Sequence, residues 1–165
     1  MENEMQTIYH VEGKLCRDFV GQIAYTVCLE HTYEELDIEF SFGPQHFQPG
    51  EVTGEMQERL LTYCKEEYGG GPSTEEELED ALYHQMKTEI HTLAMLNDTF
   101  IGGIHRQLSE RHMHFTRDEA TQGCIPQPAL EGVLKVIILA FTVLSDNTEY
   151  SLTVRARQGK ERENV

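Results

Sequence analysis

Apolar and polar residues along this chain alternate with a period of two near both ends and recur at helical spacing in between. Gly21 opens the run 23–29, Ile-Ala-Tyr-Thr-Val-Cys-Leu, which is rich in β-branched and aromatic side chains. After the polar stretch His31-Thr32-Tyr33-Glu34-Glu35, Leu36, Ile38, Phe40 and Phe42 alternate with Asp37, Glu39 and Ser41. That is the pattern of a half-buried strand. A connection this short predicts that the two runs pair as an antiparallel hairpin. Residues 7–11 predict a further short strand ahead of them.

Gly43-Pro44 ends the hairpin. Thr53 is placed to cap a helix running to Tyr68, with Met56, Leu60, Leu61, Tyr63 and Cys64 as its apolar stripe. Gly69-Gly70-Gly71-Pro72 stops it. Thr74, followed three residues later by Glu77, makes a capping box for a second helix, with Glu75 and Glu76 at its positive end. Leu78, Leu82, Met86, Leu93, Leu96, Phe100 and Ile104 continue at helical spacing, and no proline intervenes before Pro126. Carried through to His112, such a helix would be about 57 Å long, with Gly102-Gly103 as the place for a bend or break. Beyond a mixed region, residues 133–144 are apolar on both faces, as a central strand would be. A buried helix is the competing reading of that run. Tyr150, Leu152, Val154 and Ala156 alternate with polar residues after the turn at 145–148 and predict a second hairpin.

The expected fold is therefore α+β: an antiparallel sheet of four to five strands in hairpin–helix–helix–hairpin order, with both helices on one face. Residues 1–158 form a single domain and 159–165 a charged, frayed tail. With helices on one face only, the other needs cover, and a homodimer would supply it.

Composition narrows the function. The 165 residues carry 29 acids against 13 Lys and Arg, a formal charge of −16. Such a surface repels phosphate backbones, so no nucleic-acid partner is expected. Residues 51–80 hold ten acids against Arg59 and Lys65 alone, which reads as solvated helix faces. Cys16, Cys28, Cys64 and Cys124 are too far apart for a zinc knuckle or a redox pair. The acidic start Met1-Glu2-Asn3-Glu4 does not resemble a signal peptide, and no run reaches the roughly 18 apolar residues of a membrane span. The chain is expected in the cytoplasm, away from membranes.

Five of the eight histidines lie between His84 and His114. His84, His91, Asp98, His105 and His112 recur at intervals of seven, so on one helix they would share a slowly rotating stripe. His and Asp ligate metals, and His84, His91, Asp98 and His105 are the candidate metal set. Seven residues span about 10.5 Å of helix, however, so no two of these could share an ion without a contribution from elsewhere. A dimer seam, or a site completed by Asp37 or Glu39, would supply it. Arg106, Arg111, His112 and His114 form the basic concentration of an acidic body and are the candidates for holding a small anionic ligand. Gly69-Gly70-Gly71-Pro72-Ser73-Thr74 lacks the lysine of a phosphate loop and is followed by three glutamates. No nucleophile elbow or cysteine signature is present, and no catalytic residue or resident cofactor is assigned. The reading that follows is a homodimeric protein-interaction or regulatory module rather than an enzyme. A metal- or small-ligand-binding enzyme using the helix histidines is the alternative, and an acidic nucleic-acid mimic is the third.

Overall fold

The computed structural model describes residues 4–105 and 108–159. These contain seven strands and two short helices, a mostly antiparallel α+β arrangement with more sheet and less helix than the sequence pattern predicts. The strands are β1 (Gln6–Leu15), β2 (Gly21–Gly43), β3 (Glu89–Leu96), β4 (Thr99–Ile104), β5 (Glu110–Thr116), β6 (Leu130–Thr142) and β7 (Thr148–Gln158). The helices are α1 (Gly54–Tyr68) and α2 (Glu75–Asp80), the latter continued by one π turn, Ala81–Gln85. Strands run in the order β1-β7-β2-β6-β3-β4, with β5 paired to β2 off that path.

β2 corrects the first expected hairpin. It is one strand of 23 residues, not two strands and a turn. Its first half turns odd-numbered residues inward (Val27, Leu29, Tyr33) and its second half even-numbered ones (Leu36, Ile38, Phe40, Phe42). A change of parity reads in sequence as two strands, because slipping by one residue sends every side chain to the opposite face. Here the chain absorbs the slip in place. Register shifts between Leu29 and Tyr33 against β6, and again between Tyr33 and Glu35 against β7. Opposite the first irregularity Gly132 takes φ 99°, and Asn97 locks it: Val133 N–H donates to Asn97 Oδ1 at 2.9 Å, and Asn97 Nδ2 donates to the Glu131 carbonyl at 3.0 Å.

The second expected hairpin is corrected in a similar way. Residues 133–144 are extended as far as Thr142 and lie centrally, between β2 and β3. β6 and β7 nevertheless pair with opposite edges of β2, meeting at Tyr33, which faces Leu130 on one side and Gln158 on the other. One edge of β2 serves β7. Its other edge serves β6 along the first half and β5 along the second.

The long second helix is overturned. α2 keeps its predicted Thr74–Glu77 capping box, but helical structure ends at Gln85 and the chain then makes β3, β4 and β5. Ile90, Thr92, Ala94 and Leu96 alternate inward along β3. Asn97 and Asp98 adopt φ 50° and 61°, the left-handed pair of a two-residue hairpin turn. α1 begins at the predicted Thr53 cap and ends on Gly69 at φ 72°.

Neither helix covers the sheet. α1 and α2 contain no buried residue, and Met56, Leu60 and Leu78 pack around a small cluster of Phe47, Leu82 and Leu144. The main core is separate, and apart from Val143 all its buried members lie on strands. The sheet therefore curls over its own inner face. Tyr25, near the start of β2, hydrogen-bonds Tyr150 at 2.6 Å, although Tyr150 is paired to Phe42 near the other end of that strand. Among the described residues no helix is long and apolar enough to cross a membrane. The expected tail lies, from residue 160 on, outside the described residues.

Gly132→Ala tests the bulge. A Cβ there would take a backbone that L-residues avoid and would meet Asn97 Oδ1. Urea denaturation should show a loss of about 1–3 kcal/mol, and an unchanged midpoint would mean the bulge relaxes freely.

Candidate functional site

The outer face of the sheet, opposite the core, carries two different surfaces, divided at the bulge of β2. Along the second half of β2, Glu35, Asp37 and Glu39 alternate outward. β5 sets His112 opposite Glu39 and His114 opposite Asp37, while β7 sets Arg157 opposite Glu35, Arg155 opposite Asp37 and Thr153 opposite Glu39. Most of the bonds run diagonally across these rows, Arg157 to Glu35 directly. His114 Nε2 meets Glu35 Oε1 at 2.7 Å, and Arg157 Nε donates to Glu35 Oε2 at 2.7 Å. His112 Nδ1 meets Asp37 Oδ2 at 3.1 Å, and Arg155 Nη1 donates to Glu39 Oε2 at 2.5 Å while lying 3.6 Å from Asp37. On β1, His10 extends the lattice through Thr153 Oγ1 at 2.9 Å. The His114 hydrogen bond, aided by Arg157, holds the Glu35 carboxyl below its ordinary range, and the bond to Glu39 raises the Arg155 guanidinium.

Within this lattice one donor atom each of Asp37, Glu39 and His112 lies within 4.8 Å of the others. The spacing would suit a cation, and a guanidinium already takes the place: Arg155 contacts both carboxylates. Exposed pairs of this kind are each worth about 0.2–1 kcal/mol, so the lattice mainly fixes register and cancels charge.

The seven-residue series is dispersed by the strands. His84 ends up exposed beside Asp80 at 3.3 Å, and Asp98, in the β3–β4 turn, binds Lys135 at 3.2 Å. His91 and His105 come together across the mouth of that hairpin. Their Nδ1 atoms are 3.2 Å apart, with ring planes at 80°, and His91 Nε2 meets Glu89 Oε1 at 2.8 Å.

The basic set is separated too. Arg106 lies outside the described residues. His112 and His114 face out among carboxylates, whereas Arg111, between Glu110 and His112 on the same strand, faces in and is 4% exposed. It lies over the rings of Phe40 and Phe42 and donates to the carbonyls of Ile90 (2.5 Å), Leu108 (2.8 Å) and Ile104 (3.3 Å). Burial lowers its pKa to about 10, so it stays protonated at neutral pH. No carboxylate among the described residues pairs with it, and its Nε and the Thr92 hydroxyl, both buried, have no partner among them. Arg111 clamps both ends of the β4–β5 connection to β3. Its Nη groups are spent on carbonyls, not held out to a ligand.

The first half of β2 builds the second surface. Register puts Ala24, Ile137 and Leu93 in one row, Gln22, Leu139 and His91 in the next, and Thr26, Lys135 and Met95 in a third. Val133 is 43% and Phe141 51% exposed, and the Phe141 ring sits 4.7 Å from that of His91. Lys135, neutralised by Asp98, is the only lysine or arginine in these rows. Glu35, Arg155, Arg157 and Glu89 were not singled out from sequence as site residues, whereas Glu39 was, with Asp37, as a residue that could complete a metal site. The signal for three of them, alternation of charge along a strand beside alternating apolar positions, was visible in Asp37 and Glu39 and in Arg155.

A model of the family described as "Family of unknown function (DUF6669)" matches residues 5–162. No curated protein and no solved structure matches the chain.

The lattice predicts an acid-sensitive stability. A carboxyl depressed by folding stabilises above its unfolded pKa, and the contribution is lost as pH falls through the lower, folded value. Glu35→Gln should cost up to about 1 kcal/mol at pH 7, and the difference should shrink as pH falls below the ordinary carboxyl range and through the depressed pKa of Glu35. Thermal melts of wild type and variant from pH 7 to 3 should converge on acidification, and parallel curves would contradict it.

Proposed function

Since the chain belongs to this family of unknown function, its role is best argued from its surface, and we propose a protein-interaction module that acts as a homodimer through the outer face of β2, β6 and β3. The observation that supports this is a contrast of charge. The chain carries a formal −16, yet on this face Ala24, Leu93, Met95, Val133, Ile137 and Leu139, half-buried or exposed, stand among the uncharged Gln22 and Thr26, His91 and a single, neutralised lysine.

An exposed apolar patch bordered by polar residues is the usual mark of an association surface. A second copy fits this one for two reasons. Isologous pairing needs one self-complementary patch, which a nearly uncharged sheet face provides. Two strongly acidic copies can approach closely only where neither presents its acids, and ten acids between residues 51 and 80 lie instead on and around helices outside the sheet. The lattice around Asp37 is less suited to self-pairing, because its charges are already satisfied within one chain. A specific interface typically covers about 800 Å² per partner, so the contact would extend to Phe141 and Cys28 at the borders of the three rows.

Light scattering of untagged protein tests the reading. Wild type should be dimeric in the micromolar range. Ile137→Lys should be monomeric with nearly unchanged melting, because Ile137 lies on the outer face and not in the core. A wild-type monomer at about millimolar concentration would refute it.

A further inference from the structure

We propose that His91 and His105 are half of a zinc-type metal site, which the same pair from a second copy completes. The inference rests on self-association through the outer face and adds a ligand to it.

Three features fix the geometry. His91 is held rather than free: its side chain is 13% exposed, between Phe141 at 4.7 Å and Glu89 at 2.8 Å. Glu89 accepts the Nε2–H, which leaves the Nδ1 lone pair directed at His105. A carboxylate that fixes the tautomer of an imidazole from behind is the usual support of a metal-bound histidine. Last, the two Nδ1 atoms stand 3.2 Å apart. Two nitrogens, each 2.0–2.1 Å from a tetrahedral zinc ion, are about 3.3 Å apart, so the pair already has the separation an ion needs, and each ring has only to turn its lone pair from its neighbour toward the ion. Without metal, His105 Nδ1–H donates to His91 Nδ1. With metal, His105 carries its proton on Nε2, and the ion takes both lone pairs.

Two imidazoles fill half of a four-coordinate shell. Beside Phe141 and Leu139, the pair borders the face on which the second copy docks, and a two-fold axis near that border brings up two more imidazoles. A divalent cation shared there also offsets repulsion between two chains of −16 each. The carboxylate cluster of Asp37 and Glu39 is a poorer host, since metal would have to displace Arg155.

The test uses the untagged full chain, stripped with a chelator and titrated with zinc chloride by calorimetry and light scattering. One zinc per two chains should bind, and the dimer dissociation constant should fall at least tenfold. His91→Ala and His105→Ala should each lose both effects while melting like wild type in chelator. Glu89→Gln should weaken zinc binding by roughly 10–100-fold, the usual effect of losing an outer-shell partner. Cobalt should give the visible absorption of a tetrahedral site in wild type and not in the histidine variants. One zinc per chain with no change of mass, or binding that survives His91→Ala, would overturn the proposal. The two readings fail separately. A chelated dimer broken by Ile137→Lys and indifferent to zinc keeps the interface and removes the metal. Zinc-driven pairing that persists in Ile137→Lys keeps the metal and removes the proposed face.

Discussion

β2 exchanges the parity of its inward residues between Tyr33 and Leu36, and the position of the other strands follows from that slip. A sheet whose core side chains come from one unbroken alternation has a single inner face. By slipping once, β2 keeps both halves buried while it changes neighbours from β6 to β5 on one edge. The sheet can then curl until Tyr25 reaches Tyr150, and a core forms from strands alone. Gly132 and Asn97 stand at the neighbouring irregularity, opposite Leu29, because the bulge there needs a backbone that only glycine adopts without strain, and a side chain that bonds both flanking peptide groups.

The same division gives the outer face its two characters. Beyond the bulge, acids of β2 lie between histidines of β5 and arginines of β7, and charge is satisfied within the chain. Before it, β6 and β3 supply aliphatic neighbours, and little is satisfied within the chain. One half of the sheet is electrostatically closed, and the other is the face proposed for association. The buried guanidinium of Arg111 belongs to neither. It serves as an internal donor that ties the carbonyls of Ile104 and Leu108, where β4 gives way to β5, to that of Ile90 on β3.

Much of this was legible along the chain, for local reasons. The alternation at Leu36–Ile38–Phe40–Phe42, the doubly apolar run in β6, the Thr53 cap and the Thr74–Glu77 box each depend on neighbours within a few residues. The misreadings came from two patterns that satisfy more than one geometry. Apolar residues at Leu93, Leu96, Phe100 and Ile104 fit a helix, and no glycine or proline marked the Asn97–Asp98 turn. The interval 91–98–105 looked like a helical stripe. In a hairpin centred near Asp98 the same equal spacing has another meaning: residues equidistant from the turn lie opposite each other, so His91 meets His105 as Thr92 meets Ile104. The equal spacing belongs to a hairpin and not to a helix. Pairings such as Glu35–Arg157 and Asp37–His112 join residues 122 and 75 positions apart, and no local pattern encodes them.

The helices enter the chain between Gly43 and Glu89, and that excursion is pinched at its neck, where Thr88 N–H donates to the Gln45 carbonyl at 2.7 Å and the Thr88 hydroxyl accepts from Leu144 N–H. Since the two ends are fastened to each other and the main core owes nothing to what lies between, the excursion behaves as a detachable appendage. Lengthening it would add only the slow logarithmic entropy of a larger loop. The acidic excursion is therefore the part of the chain whose shortening would disturb the sheet least.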